Sequence, residues 1–162
     1  MKSVSRYSYS LGFLLCLVLL GIAFYLQYFA DQWPCLLCEL QRFTLALMGI
    51  VFLIAAIHHP KTKSRFVYFI LLFLLGMIGL FLASRQLWLI AHPDTFAPGQ
   101  CSANLAYLIR VLPLHKVLML SLQGNADCAK ETARFLSLSL PAWSLISFGI
   151  LIGLDVVAVA KK

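Results

Sequence analysis

The chain has 162 residues, of which 62% are hydrophobic and 12% are charged. An ordinary soluble domain is about half apolar and about a quarter charged, so this composition excludes that class and indicates an integral membrane protein. The formal charge of +7 does not indicate a nucleic acid partner. Lysines and arginines that flank apolar segments determine membrane topology, and they account for this charge.

Four apolar segments are long enough, or nearly long enough, to cross a bilayer. A spanning helix needs roughly 20 mainly apolar residues, because about 30 Å of hydrocarbon is crossed at about 1.5 Å per residue. We therefore predict an all-α membrane protein, a bundle of four transmembrane helices, with residues 1–162 as a single integral membrane domain. The predicted spans are residues 11–30, 40–57, 66–84 and 142–160.

The first span is predicted to stay in the protein. A cleavable signal peptide has an apolar core of 7–15 residues followed by a small-residue cleavage site. Residues 11–30 carry no charge over their whole length, and the following "YFADQWPC" offers no such site.

Basic residues predict the orientation of the bundle. Short cytoplasmic segments carry an excess of lysine and arginine. Seven basic residues lie before the first span, between the second and third, and after the fourth, so both termini are predicted to be cytoplasmic and loops 31–39 and 85–141 to lie outside. These residues are Lys2, Arg6, Lys61, Lys63, Arg65, Lys161 and Lys162.

The second outer loop contains an apolar stretch that is too charged to span. Residues 104–123, "NLAYLIRVLPLHKVLMLSLQ", include three basic or histidine residues, and Pro113 should break any continuous helix. We expect an interfacial amphipathic segment lying on the membrane, with an ordinary packed loop as the alternative. Further on, "DCAKETARFL" is expected to be helical, and Pro141 suits the first turn of the fourth span.

Four of the five cysteines fall on the outer face. They are Cys35 and Cys38 in the first loop and Cys101 and Cys128 in the second, whereas Cys16 lies inside the first span. Disulfides persist in oxidising compartments, so the outer face is predicted to lie in such a compartment. Cys16 is interpreted as a small buried apolar residue.

The stretch "WPCLLCELQR", from Trp33 to Arg42, holds a Cys-x-x-Cys motif. Such a motif occurs in redox sites, zinc sites and haem attachment sites. Haem attachment is excluded because Glu39, not histidine, follows the second cysteine. A four-cysteine zinc site usually has a second close pair, which this chain lacks, so we predict no metal. Zinc binding and structural disulfides are nevertheless left open by the motif alone.

The neighbours of the motif favour a redox centre. If the second helix begins near Pro34 to Leu36, both thiols lie at its first turn, where unpaired backbone N–H groups stabilise a thiolate. Arg42 follows Cys38 by four residues and should share its helical face. Its permanent charge can stabilise a thiolate or an anionic ligand. We expect both side chains at the membrane interface, where a lipid-soluble acceptor could reach them.

Taken together, these features resemble the disulfide bond formation protein B (DsbB) family of bacterial inner membranes. The resemblance is carried by four spans, "PCLLCELQR" between the first two, and a second outer loop with one cysteine after a proline-rich turn and another in "GNADCAKE". It covers nearly the whole chain.

The resemblance implies a relay of thiol exchanges. Cys101 would be attacked by a reduced DsbA-like periplasmic protein of thioredoxin fold, which releases Cys128. Cys128 would then attack Cys35 and free Cys38. Cys38 would pass electrons to ubiquinone or menaquinone, with Arg42 as the cation of the quinone site.

Three further polar residues lie in or near the predicted spans. The family has a histidine near the end of the third span that is associated with quinone, and His92 is the candidate here, with a solvated loop histidine as the alternative. No role is assigned to Gln41, at a position where the family often has an acidic residue. Asp155 in the fourth span is interpreted as snorkelling or pairing with Lys161.

The predicted function is a quinone-dependent protein thiol oxidoreductase of the bacterial inner membrane, with its active site on the periplasmic face. Its partners would be a DsbA-like protein and the quinone pool of the bilayer. The alternative is a non-catalytic four-helix scaffold held together by structural disulfides.

Overall fold

The structure is a computed structural model, and it describes most of the chain. Cys101 and Cys128 lie outside the described residues. The described residues are 2–29, 34–58, 60, 62–92, 105–123, 134–135 and 138–160.

Long helices dominate the described part of the chain, and a short antiparallel pair of strands precedes the last of them. The elements are α1 (Lys2–Phe29), α2 (Leu36–His58), α3 (Thr62–Ala91), α4 (Leu105–Val111), α5 (Leu114–Gln123), β1 (Arg134–Phe135), β2 (Leu138–Ser139) and α6 (Leu140–Ala160).

Four of these helices are long and apolar enough to cross a membrane, which confirms the predicted four-helix membrane fold. No water is available in hydrocarbon to satisfy backbone groups, so an apolar segment of this length folds as a helix that bonds its own backbone. The candidate spans are Tyr7–Phe29, Leu36–His58, Ser64–Ala91 and Leu140–Ala160.

The four long helices pack as a closed bundle in which α1 contacts α2, α2 contacts α3, α3 contacts α6, and α6 returns to α1. The end where α1 stops and α2 begins, which also holds the C-terminus of α3 and the N-terminus of α6, is called the cysteine end below. One main core fills the bundle. Its buried members are Tyr9, Cys16, Met48, Phe52, Ala55, Leu72, Phe148, Leu151 and Ala158.

Large apolar side chains cover the outer surface of the bundle. Leu14 and Val18 on α1 are more than half exposed, as are Leu74 on α3 and Ile150 on α6. A soluble monomer rarely exposes such a continuous apolar surface. The arrangement therefore fits a bundle whose outer faces contact lipid.

The third helix is longer than the sequence predicted. It continues to Ala91, whereas the span was placed at 66–84 because Arg85 ended the uncharged run. Arg85 does not end the helix, because its guanidinium lies over the ring of Trp88, 4.6 Å from the centroid, and donates from Nε to the carbonyl of Leu122 at 3.2 Å. The second loop therefore begins near His92 instead of at residue 85.

The amphipathic stretch of that loop forms two helices that break at Pro113, as predicted. Leu108 of α4 and Val117 of α5 are buried against Leu36, the first residue of α2. The two short helices thus lie against the cysteine end. Their predicted position on the membrane surface stays a prediction.

The expectation that "DCAKETARFL" is helical is wrong for its described residues. Arg134 and Phe135 form strand β1, which pairs with β2 through Arg134 to Ser139 and Phe135 to Leu138. The chain turns back on itself after Phe135, so that Leu138 and Ser139 become the strand partner of β1. A local helical pattern does not reveal such a turn. Residues 127–133 lie outside the described part. Pro141 lies in the first turn of α6, as predicted.

Cys16 is 1% exposed and packs closely against Gly49. A Cβ atom added at Gly49 would lie only 3.3 Å from the Cβ of Cys16. The interpretation of Cys16 as a small buried packing residue is therefore confirmed. Asp155, by contrast, does not snorkel. It is 0% exposed, because it shares a helix face with Leu151 and Ala158, which point into the core. Lys161, its proposed partner, lies outside the described residues.

A close approach of α3 and α6 depends on Gly79. A Cβ at this position would collide with the ring of Phe148. We expect Gly79→Leu to destabilise the folded protein by about 1–3 kcal/mol, the usual cost of overpacking. The check is thermal unfolding of detergent-purified protein. Gly149→Leu is the matched control, because no atom lies within 4 Å of its added Cβ; equal unfolding of both variants would contradict this packing.

Candidate active site

The Cys-x-x-Cys motif lies at the start of α2, as the sequence predicted. Cys35 precedes the first helical residue, and its carbonyl accepts a helical hydrogen bond from the backbone N–H of Glu39 at 3.0 Å. Pro34 fixes the entry of the chain. The motif therefore occupies the first turn, where free N–H groups and the helix dipole stabilise negative charge.

The two thiols are in contact but face different surroundings. Their sulfurs are 3.4 Å apart, with Cys35 as the hydrogen-bond donor. Cys35 is 7% exposed and belongs to a buried cluster with Leu82 and Leu89 of α3. Cys38 packs against the same cluster, but it is half-buried and also lines a cavity. Small movements can join the sulfurs in a disulfide, and only Cys38 also meets the cavity.

A pair of buried glutamines lies against the thiols. The side-chain nitrogen of Gln86 is 3.1 Å from the sulfur of Cys38 and 3.5 Å from that of Cys35. The carbonyl oxygen of Gln86 accepts a hydrogen bond from Gln41 at 2.8 Å. Gln86 is 0% exposed and Gln41 is 5% exposed. Sequence reasoning missed Gln86, which it placed in the second loop, and gave Gln41 no role.

The cavity beside Cys38 has a volume of about 150 Å³ and lies between α1, α2 and α6. Most of its wall is apolar, and a few polar groups enter it. Ile22 lines it and is also 51% exposed, so the cavity reaches the outer surface of the bundle. Its lining residues include Leu19, Leu26, Leu45 and Phe148 on the apolar side, and Gln41, Arg42, Ser144 and Ser147 on the polar side.

Arg42 lines the same cavity as Cys38, so the prediction that they share a helical face is confirmed. Its guanidinium donates to the side-chain oxygen of Gln27 at 2.5 Å and to the carbonyl of Ala23 at 3.0 Å. It also lies 5.8 Å from the ring centroid of Phe24. Three contacts from α1 thus fix the position of this cation, and no sequence pattern indicates them.

His92 lies at the end of α3, away from the described lining of this cavity. Its ring stacks on Trp88 with centroids 4.7 Å apart, and its Nδ1 is 3.1 Å from the Trp88 carbonyl. The side chain is exposed. Its association with quinone stays a prediction.

Helices α4 and α5 of the second loop lie beside the Cys-x-x-Cys motif. These helices pack on Leu36, next to Cys35, and the Leu122 carbonyl is held by Arg85. Cys101 precedes α4 by four residues and Cys128 follows α5 by five. Chain connectivity therefore ties both cysteines to elements that touch the motif.

Comparison with known proteins assigns the chain to a family. The family model described as Disulfide bond formation protein DsbB matches residues 5–158. No solved structure matches the chain.

Named relatives match over most of both chains. Disulfide bond formation protein B of Marinobacter nauticus is 39% identical over 98% of this chain and 94% of its own. The protein of the same name from Hahella chejuensis is 42% identical over 89% of this chain and 87% of its own. Disulfide bond formation protein B 1 of Pseudomonas aeruginosa is 36% identical over 97% and 96%. The chain therefore belongs to the DsbB family of disulfide bond formation proteins.

Proposed function

We propose that this disulfide bond formation protein is a quinone-dependent protein thiol oxidoreductase that reoxidises a DsbA-like dithiol oxidase. One observation carries the proposal. Both sulfurs of the Cys-x-x-Cys motif lie against α3, and the sulfur-bearing side chain of Cys38 also lines a cavity that contains Arg42. Such an arrangement suits transfer of electrons from Cys35 through Cys38 to an acceptor in the cavity.

The residues around the cavity fit a quinone ring. An apolar protein cavity of about 150 Å³ can hold a benzene molecule, so a volume of about 150 Å³ here suits a six-membered ring. Leu19, Leu26 and Leu45 offer apolar contacts for the ring, and the guanidinium of Arg42 can donate to a carbonyl oxygen. The exposed Ile22 marks an opening through which an isoprenoid tail could extend into lipid.

Each exchange in the proposed relay moves one electron pair. A thiolate of the reduced partner attacks the sulfur of Cys101, and Cys128 leaves as a thiolate with the electrons of the broken bond. Cys128 attacks the sulfur of Cys35, and Cys38 leaves as a thiolate next to the cavity. The partner's second thiolate then releases the oxidised partner from Cys101.

Closing the cycle regenerates both disulfides. Cys101 attacks Cys128 and frees Cys35, which leaves Cys35 and Cys38 reduced. Quinone in the cavity would supply an acceptor for the two electrons and two protons released when these thiols rejoin. Arg42 would bind and orient it, and the apolar walls would exclude water.

The packing of the second loop supports this route. Cys128 follows Leu122 by six residues, which span at most about 21 Å when extended. The carbonyl of Leu122 accepts a hydrogen bond from Arg85. The next residue in the chain, Gln86, contacts both sulfurs of the motif. The Cα atom of Cys128 thus stays within about 21 Å of Leu122.

The proposed setting is the bacterial inner membrane, with the cysteine end on the periplasmic side. The opposite end of the bundle joins α2 to α3, where the sequence contains Lys61, Lys63 and Arg65, as expected of a cytoplasmic face. Disulfides persist in the periplasm, where the partner would act.

The proposal is tested with purified protein in detergent, a reduced thioredoxin-fold dithiol protein and a soluble ubiquinone analogue. We expect quinone absorbance to fall only when protein and partner are both present. Cys101→Ala should abolish the mixed disulfide with the partner, which non-reducing gels detect. Absence of partner-dependent quinone reduction, with all four outer cysteines confirmed by mass spectrometry, would refute the proposal.

A further inference from the structure

The buried glutamines Gln41 and Gln86 are hydrogen-bonded to each other between α2 and α3, with the Gln86 amide against both sulfurs, and Gln41 also lines the cavity. We propose that they act as a positioning pair that holds an amide donor against both sulfurs and thereby stabilises the reduced form of the Cys35–Cys38 pair. The inference deepens the proposed function and rests on it for its biological meaning.

The hydrogen bonds fix which end of the Gln86 amide meets the thiols. An amide group has two N–H donors on nitrogen and an acceptor on oxygen. The oxygen of Gln86 is occupied by the donor of Gln41 at 2.8 Å, which directs the nitrogen of Gln86 to the sulfurs at 3.1 and 3.5 Å. Turning the Gln86 amide over alone would set its N–H groups against those of Gln41 in a buried site, which is costly. Turning both amides over would set the oxygen of Gln86 against the sulfur of Cys38, which is repulsive once that sulfur is a thiolate. Gln41 therefore orients Gln86.

The nearer sulfur is the one that gains charge. When a thiolate attacks the sulfur of Cys35, the bond to Cys38 breaks and the electron pair stays on the sulfur of Cys38. Gln86 is closer to Cys38 than to Cys35. Hydrogen bonds to an ionised acceptor are about twice as strong as neutral ones, and the difference grows in a dry interior.

A stronger bond to the thiolate than to the disulfide raises the reduction potential of the pair. The sulfurs of a disulfide are weak acceptors, so Gln86 contributes little to the oxidised form. Stabilising the reduced form of a dithiol makes its disulfide a stronger oxidant. The glutamine pair thus favours acceptance of electrons at the motif.

A merely structural role would have a different signature. The two glutamines also join α2 to α3 and could contribute only to folding. In that case, their replacement would lower the unfolding temperature and leave the redox equilibrium of Cys35 and Cys38 unchanged. The redox equilibrium therefore distinguishes the two roles.

The experiment measures this equilibrium in full-length protein in which Cys16, Cys101 and Cys128 are replaced by alanine. Protein in detergent is equilibrated with oxidised and reduced dithiothreitol, without quinone or partner, and free thiols are counted by alkylation and mass spectrometry. For Gln86→Leu we expect the equilibrium constant for reduction to fall about tenfold, which corresponds to a potential about 30 mV more negative. Gln41→Leu should cause a smaller shift in the same direction.

Two further variants keep the test decisive. The double variant Gln41→Leu, Gln86→Leu removes both partners and leaves no glutamine unpaired, so it should fold and still show the shift. Thr44→Val is the matched control, because Thr44 is a buried polar residue of α2 whose hydroxyl bonds only the helix carbonyl of Leu40 among the described contacts. It should leave the equilibrium unchanged.

The outcomes separate this inference from the proposed function. If folded Gln86→Leu and the double variant retain the equilibrium constant of the parent within about twofold, the positioning pair is refuted even if the wild-type protein reduces quinone. If the shift is found but the wild-type protein reduces no quinone, the positioning pair stands and the proposed function fails.

Discussion

Replacing Cys38 with serine should lower the rate of partner-dependent quinone reduction at least about a thousandfold, as expected when an enzyme loses the atom that forms its covalent intermediate. Cys38 is the member of the motif whose side chain lines the cavity with Arg42. A serine hydroxyl fills nearly the same space but cannot form a disulfide with Cys35 or leave as a stable anion. The rate is measured from quinone absorbance.

The step at which Cys38→Ser blocks electron transfer can be tested separately. Cys38→Ser leaves Cys101 and Cys128 intact, so the mixed disulfide between Cys101 and the reduced partner should still form. Electrons should then stop at Cys101 and Cys128, because Cys35 has no disulfide that the Cys128 thiolate can attack. Non-reducing gels of the protein mixed with its partner detect this species.

Cys16→Ser is the matched control for Cys38→Ser. It makes the same atomic change at a buried thiol of α1 that packs against Gly49, far along the bundle from the motif. We expect its rate to stay within about twofold of the wild type, since it lies outside the site and distant changes act independently. If Cys38→Ser kept the wild-type rate, the relay would be wrong, and the scaffold held by structural disulfides would account for the cysteines better.

The bundle could be predicted from the sequence because the bilayer leaves few alternatives. An uncharged run of about 20 residues must satisfy its own backbone, so hydropathy alone located all four helices. The placement of Cys38 and Arg42 on one face followed equally simply from their spacing of four residues on a helix. Both predictions depend on local features of the sequence, the length of an uncharged run and the spacing of two residues.

The ends of the helices were harder to predict, as Arg85 illustrates. A charge predicts the end of a span, but an arginine can remain in a helix when its guanidinium reaches an aromatic ring and a loop carbonyl. The misplaced end moved Gln86 into the loop. Its contact with the thiols was consequently missed.

The cavity wall could not be predicted because it depends on packing between distant segments. Ser144 and Ser147 line the same cavity as Arg42 only because α6 packs against α1. The same holds for Gln27, whose bond to Arg42 joins residues 15 apart on different helices. Hydropathy places such residues in a span but does not say which neighbour they face.

Replacing Arg42 with methionine should raise the KM for the soluble ubiquinone analogue by between about tenfold and about a hundredfold. A hydrogen bond from a charged group contributes about 1.5–3 kcal/mol, and each 1.4 kcal/mol is tenfold in binding. Arg42 is held at the cavity wall by Gln27 and the carbonyl of Ala23, so its charge is fixed before any ligand binds. Thiol exchange at Cys101 should continue, because the guanidinium takes no part in it.

Arg85→Met is the matched control, since it removes another arginine at the cysteine end whose described contacts are with Trp88 and Leu122 instead of the cavity. Its KM for quinone should stay near that of the wild type. Gln27→Leu keeps the charge of Arg42 but removes one of its hydrogen-bond acceptors. We therefore expect a smaller rise in the KM for quinone than for Arg42→Met. A KM that is equally raised in Arg85→Met, or unchanged in Arg42→Met, would remove Arg42 from the quinone site and require another donor on the cavity wall.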